Sequence, residues 1–185
     1  MKQIFLIGGV PRSGKSIVRK KLLNSHNVSS GIGTDNLREM LDYGNSSLDI
    51  SHKNTPKENL RVMEPYFDAL IKNQIKYSPE SLVLEGDILL PQFLNKYKNN
   101  KKIKSCFIGY SKIDIKNKLA CIYSYPDSAN WIKNKPEKEA IALIKWFVSE
   151  SKKYRIQCSN LKIKYFDTSV DFEKNLNKII NYLIK

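Results

Sequence analysis

Apolar residues in this chain fall into two patterns. Some form short continuous runs, and others recur every three or four positions. Residues 3–7 (Gln-Ile-Phe-Leu-Ile) are the first run and predict a buried strand. Ile17, Val18, Leu22 and Leu23 follow at helical spacing, so a helix starts out of the glycine-containing turn after that strand. Residues 28–33 predict a short second strand and 36–43 a short helix, whereas 46–55 are polar and loop-like. Pro56 suits a helix first turn. Leu60, Met63, Phe67, Leu70 and Ile71 continue that helix, with Pro65 expected to kink or split it. Residues 81–84, 105–108 and 162–166 predict a third, fourth and fifth strand. Residues 113–135 read as polar, basic and irregular. Pro136 opens a long helix through Ala140, Leu143, Ile144 and Phe147 to about residue 158, and an amphipathic helix closes the chain over 171–184. Strand and helix alternate throughout, which predicts an α/β fold: a parallel sheet with helices on both faces. No repeat, low-complexity tract or linker divides it, so one domain is expected over 1–185.

Composition narrows the class. At 185 residues, 41% hydrophobic and 27% charged, the chain matches an ordinary soluble domain with a real core. No apolar run is long enough for a bilayer, and the first one leads into a glycine turn rather than a cleavage site. Cys106, Cys121 and Cys158 are an odd set without metal-ligand spacing. They read as reduced thiols, buried or half-buried, of a cytoplasmic protein. The net charge of +14 fits either a nucleic-acid partner or a basic cleft for phosphorylated small molecules. Lysine is spread along the whole chain and arginine is scarce. The cleft is therefore the simpler reading, and no nucleic-acid partner is expected.

The sharpest motif is Gly9-Val10-Pro11-Arg12-Ser13-Gly14-Lys15-Ser16, which fits G-x-x-x-x-G-K-[ST] between a predicted strand and a predicted helix. Free amides and the positive dipole end of a starting helix favour an anion. Gly9 and Gly14 let the backbone curl around phosphate oxygens. Lys15 brings a mobile cation to the β- and γ-phosphates, and Ser16 offers a hydroxyl to Mg²⁺. Gly9 through Ile17 are thus the candidate nucleotide site, with Arg12 either on the γ-phosphate or solvated. A GTPase base-reading motif is lacking, since Asn117-Lys118-Leu119-Ala120 has no aspartate. Ligands of open α/β sheets gather at the carboxyl ends of strands. Asp35 and Arg38 lie just past the second strand, one helical turn apart. Asp35 can take a proton from a substrate hydroxyl or hold Mg²⁺, and Arg38 can grip a substrate anion; the alternative is a helix cap and a solvated arginine. Glu85 ends the third strand, where an acid can order Mg²⁺ or its water, while Asp87 faces the substrate or caps the next helix.

Four stretches in order, "GGVPRSGKS", "GTDNLREML", "LEGDILLP" and "YFDTSVDFEKNL", resemble the small P-loop kinases of the adenylate-kinase-like group. The resemblance is nearest to 2-phosphoglycerate-kinase-like proteins and generic P-loop ATPases; shikimate, gluconate and chloramphenicol kinases and zeta-type toxins share the layout. It implies a three-layer sandwich around a five-stranded parallel sheet in the order 2-3-1-4-5. It also implies a substrate-binding helical part over 36–77 and a lid over 113–135. Asp35 would be the base or Mg²⁺ organiser, Arg38 a substrate anchor, and Asp167-Thr168-Ser169 would lie near the adenine. One departure stands out: no arginine occurs between Arg61 and Arg155, where such lids carry them. Lys112, Lys116, Lys118, Lys133 and Lys135 are available instead, and Arg155 can reach in from the long helix. Trp131 either stacks on a ligand or packs the lid. The expected activity is ATP- and Mg²⁺-dependent phosphoryl transfer to a small hydroxylated, anionic metabolite, by a monomer or homodimer. A polynucleotide 5′-end kinase and a nucleotide-binding regulator or toxin-like protein are the alternatives.

Overall fold

The computed structural model describes residues 3–25, 28–125 and 130–185. Five strands form one parallel sheet: β1 (Ile4–Gly9), β2 (Ser30–Gly33), β3 (Leu82–Gly86), β4 (Ile103–Gly109) and β5 (Tyr165–Asp167). Their order is β2-β3-β1-β4-β5. The order turns about β1, so the carboxyl end of β1 lies where such sheets bind their ligands.

A central parallel strand is covered on both faces and must be apolar on both, which is why β1 is buried along its whole length. Ile4 and Leu6 point into one core layer, and Phe5 and Ile7 into the other. The second layer is closed by α1 (Lys15–Ser25) and α7 (Phe172–Ile184), through Val18, Leu22, Leu176, Ile179 and Leu183. The first is closed by α3 (Pro56–Tyr77), α4 (Pro91–Tyr97), α5 (Ile115–Ser124) and α6 (Glu137–Leu161). Phe67 of α3 and Phe93 of α4 meet there edge to face, with centroids 5.7 Å apart. The helix α2 (Thr34–Gly44) follows β2 directly.

Local signals explain most boundaries. Thr55 and Glu58 form a capping box before Pro56, with Glu58 N–H donating to Thr55 Oγ1 at 3.3 Å and Thr55 N–H to Glu58 Oε2 at 2.7 Å. Three expectations need correction. Pro65 does not split α3, because Met63, Phe67 and Ile71, none of them exposed, anchor both halves to the same core. Residues 113–135 are not irregular. Asp114 caps α5 by accepting from Asn117 N–H at 2.9 Å, Leu119 and Ile122 bury its inner face, and a 3-10 turn follows over Trp131–Asn134. Interleaved lysines had diluted that apolar period; residues 126–129 lie outside the described residues. Finally, α6 runs on to Leu161, where Lys162 adopts the left-handed conformation at φ 56° and ends it. That turn delays β5 to Tyr165. Cys106 and Cys158 are buried as expected, but Cys121 is exposed. Among the described residues, no helix is long and apolar enough to cross a membrane.

Removing the Phe67 ring, which has no exposed surface, should cost about 3–5 kcal/mol. Urea unfolding of Phe67→Ala measures this; a loss below about 1 kcal/mol would show that the α3–α4 seam does not hold this face of the sheet.

Candidate active site

β1 ends in two glycines because its neighbours leave no room there. A Cβ on Gly9 would lie 2.5 Å from the Ile108 carbonyl oxygen. The chain then turns through Val10 to Gly14 and enters α1 at Lys15. Gly14 sits at φ 103°, and its missing Cβ would crowd the Phe172 ring at 3.0 Å. Arg12 also takes a left-handed conformation, at φ 59°, which costs a non-glycine residue about 1 kcal/mol.

What holds this loop is a set of side-chain donors. Lys15 Nζ donates to the Val10 carbonyl at 3.0 Å. The Tyr110 hydroxyl donates to Pro11 at 2.7 Å, from the end of β4. Lys118 Nζ reaches the Arg12 carbonyl at 2.8 Å, from α5. Thr168 Oγ1 approaches the Ser13 carbonyl at 3.4 Å, from the end of β5, and also donates to Gly109 at 3.2 Å. Four consecutive carbonyls are thus engaged by four different elements. The first amides of α1 have no carbonyl one turn earlier to bond, so they are left to an anion. The Ser13 hydroxyl is buried without a partner, and Ser16 is exposed at the mouth.

Two of these donors carry information the sequence did not. Tyr110 read only as the end of an apolar strand. Lys118 was one of five interchangeable lid lysines; the helix capped by Asp114 singles it out. It is 6% exposed and lies 4.1 Å from the Tyr110 ring centroid. Burial, assisted by Arg12 and Lys15, lowers its pKa to about 8 against a weaker opposing effect of Cys121.

The acidic candidates separate into two settings. Asp35, in the first turn of α2, is 67% exposed and accepts from Arg38 at 2.9 Å. Asp87, just past β3, is half-buried, with Oδ1 shut off from solvent and without a hydrogen-bond partner. Burial raises its pKa, and Asp35 adds to this, while Lys15 and Arg38 oppose it. Lys15, Asp35 and Arg38 therefore all lie near enough to act on Asp87, at the carboxyl ends of β1, β2 and β3. Glu85 is turned elsewhere. It is buried and pairs with Arg19 of α1 at 3.4 Å, while Arg19 also donates to the Gly31 carbonyl at 3.2 Å. That pair ties α1, β2 and β3 together and uses one oxygen of the carboxylate read as a Mg²⁺ organiser.

Arg155 and Thr168 fall on the opposite side of the loop. Arg155 donates to Ser111 Oγ at 3.3 Å, and Ser111 donates to Asp167 at 2.5 Å. Burial alone would raise the Asp167 pKa, but hydrogen bonds from Ser111 and Ser169 outweigh it and hold the carboxyl below its usual range. Thr168 is buried against the loop backbone. Trp131 is 45% exposed, with Lys135 Nζ 5.9 Å from its ring centroid. Among the described residues, no group of three or more His, Cys, Asp or Glu side chains is arranged to hold a metal ion.

The sheet order and flanking helices are those of the α/β P-loop kinase fold. No family model and no curated protein matches the sequence. Solved structures do match in fold. An uncharacterized protein from Eubacterium ventriosum ATCC 27560 aligns at TM-score 0.59 with 19% identity, over 98% of both chains. A gluconokinase from Sinorhizobium meliloti 1021 aligns at 0.57 with 13% identity, over 98% of this chain and 91% of its own. A shikimate kinase from Bacteroides thetaiotaomicron aligns at 0.56 with 12% identity, over 97% of each.

Two outcomes follow from this geometry. Free Lys118 loses its charge as pH rises through about 8, so affinity for a nucleoside triphosphate should fall across that range. Calorimetric titration of Lys118→Met should show affinity about tenfold weaker and flat in this pH window, since an unmatched buried carbonyl costs about 1–3 kcal/mol. Asp87, its pKa raised in the fold, destabilises the folded state above the ordinary carboxylate pKa, and the penalty fades as pH falls toward it. Asp87→Asn should therefore raise Tm by a few degrees at pH 7 and by less at pH 4. An unchanged Tm at pH 7 would show that the buried carboxylate carries no such penalty.

Proposed function

We propose that the protein is an ATP- and Mg²⁺-dependent kinase that phosphorylates a hydroxyl of a small anionic metabolite. One observation carries this reading. Beside a glycine loop whose first helix amides lack intrahelical carbonyl partners, Lys15, Asp35 and Arg38 all bear electrostatically on Asp87, and Asp35 is 67% exposed. The loop amides would grip the β- and γ-phosphates, and Lys15 would leave the Val10 carbonyl to follow them. Arg38 would release Asp35 on meeting the anionic group of the acceptor.

Ser16 is exposed at the start of α1 and Asp87 is half-buried just past β3, so a hydroxyl and a carboxylate that could hold Mg²⁺ are present; Glu85 is a further candidate through its second oxygen. Bound there, the ion would neutralise charge between the β- and γ-phosphates. In the transfer the acceptor oxygen forms a bond to the γ-phosphorus while the bond to the β–γ bridging oxygen breaks. ADP leaves with that electron pair, and the acceptor proton passes to Asp35. The lid over 113–135, with Lys118 in place of an arginine, would exclude water. Arg155 and Thr168 would flank the adenosine. The fold of the gluconokinase and the shikimate kinase supports a small-molecule kinase at this level of description.

Mass spectrometry of a metabolite extract incubated with ATP and Mg²⁺ tests this. The wild-type protein should yield a new phosphorylated species, and Asp35→Asn should slow its formation by about 10²–10⁴-fold. ATP binding with no new species in any extract would overturn the kinase reading in favour of a nucleotide-binding regulator.

A further inference from the structure

A second concentration of cations lies at the far end of the sheet. β4 is seven residues long, so at about 3.3 Å per residue its two ends lie about 20 Å apart. Its carboxyl end meets the phosphate loop. Its amino end opens on a cleft of about 290 Å³, the room of about ten water molecules. Lys98, Lys101 and Lys104 line it from the α4–β4 connection and β4, and Lys162 and Lys164 from the turn into β5. Parallel pairing of β4 with β5 brings these two stretches of sequence side by side.

Lysine is abundant everywhere in this chain, so abundance alone says little. The difference is in the partners. Elsewhere some lysines pair with acids, as Lys96 does with Glu64 and Asp68 and Lys153 with Glu150, and the hollow on α6 that Lys138 and Lys145 line also holds Glu137. Among the described residues, no Asp or Glu lines the cleft, and none of its five lysines forms an ion pair. Five cations left without counter-charge around one concavity focus a positive potential there.

The other liners indicate what would neutralise them. Asn99 and Asn100 supply amides, and Tyr182 supplies a half-buried ring, packed edge-on against Phe166 with its hydroxyl on the Ser105 carbonyl at 3.3 Å. Both aliphatic liners, Ile103 and Ile163, are 7% exposed, so nothing apolar projects for insertion into a bilayer. Cations, amides and one aromatic ring are the groups that hold a phosphodiester strand with an unpaired base. We propose that this cleft binds single-stranded nucleic acid, as a docking site remote from the phosphate loop and independent of the reaction there.

The test is fluorescence anisotropy with labelled single-stranded RNA and DNA 12-mers, from 50 to 200 mM NaCl. Vesicles of phosphatidylserine and phosphatidylcholine, and poly-glutamate, are the other probes. The variants are the triple Lys98→Glu, Lys101→Glu, Lys164→Glu and a control triple on α6, Lys138→Glu, Lys145→Glu, Lys152→Glu. All six lysines are exposed, and both triples change the net charge equally. Wild-type protein should bind the 12-mers with a log–log salt slope of about −3, or about 60-fold weaker binding across that range. The cleft triple should bind at least tenfold more weakly and the α6 triple within threefold of wild type, with ATP affinity and Tm retained in both. Equal losses in the two triples would reduce the effect to net charge and overturn the site. So would binding to vesicles or poly-glutamate without binding to the 12-mers, or no binding at 50 mM NaCl.

Discussion

The carbonyls of Val10, Pro11 and Arg12 are each bonded by a lysine or tyrosine side chain and that of Ser13 faces the Thr168 hydroxyl, and the candidate chemistry of the molecule rests on that arrangement. A peptide plane has two ends, so fixing its carbonyl also aims its N–H. Such constraints in a row hold the loop amides in set directions, as an anion nest requires. The donors come from α1, the end of β4, α5 and the end of β5, so the sheet order that places β4 and β5 beside β1 is a precondition for the loop shape. The left-handed Arg12 persists because these neighbours over-determine it.

The same economy of charge appears on the acidic side. Asp87 is set where burial disfavours its ionised form, a setting that makes it a functional-site candidate. Glu85 shows the contrasting solution, a buried carboxylate matched by Arg19 and used to join three elements. Only Gly86 lies between them, yet Asp87 Oδ1 has no partner while Glu85 is committed to the fold. Lys118 extends this logic to α5. Its cation is held at the Arg12 carbonyl, over the Tyr110 ring, in a stretch of sequence that has no arginine.

Charge outside this cleft follows two regimes. Where helices flank one another, acids stand among the lysines and pair with some of them, one turn away or across a seam. Where β4 and β5 begin, they are not matched, because that edge is built from two lysine-rich connections that meet only in the folded sheet. A chain-wide excess of lysine thus becomes a local feature through topology.

The residues alone determined the alternation of strands and helices, the phosphate loop, and the positions of Asp35, Arg38 and Asp87 past strand ends. These follow from local periodicity, from the glycines a tight strand-to-helix turn demands, and from the rule that parallel strands present their carboxyl ends to ligands. Tertiary structure alone decided three things: that Lys118 rather than its neighbours reaches the loop, that Glu85 faces Arg19, and that α5 is a helix. Each depends on contacts between residues far apart in sequence; Lys118 and Arg12 are separated by 106 positions. A lysine-rich segment has no periodicity strong enough to announce its inner face, which only the sheet beneath it selects.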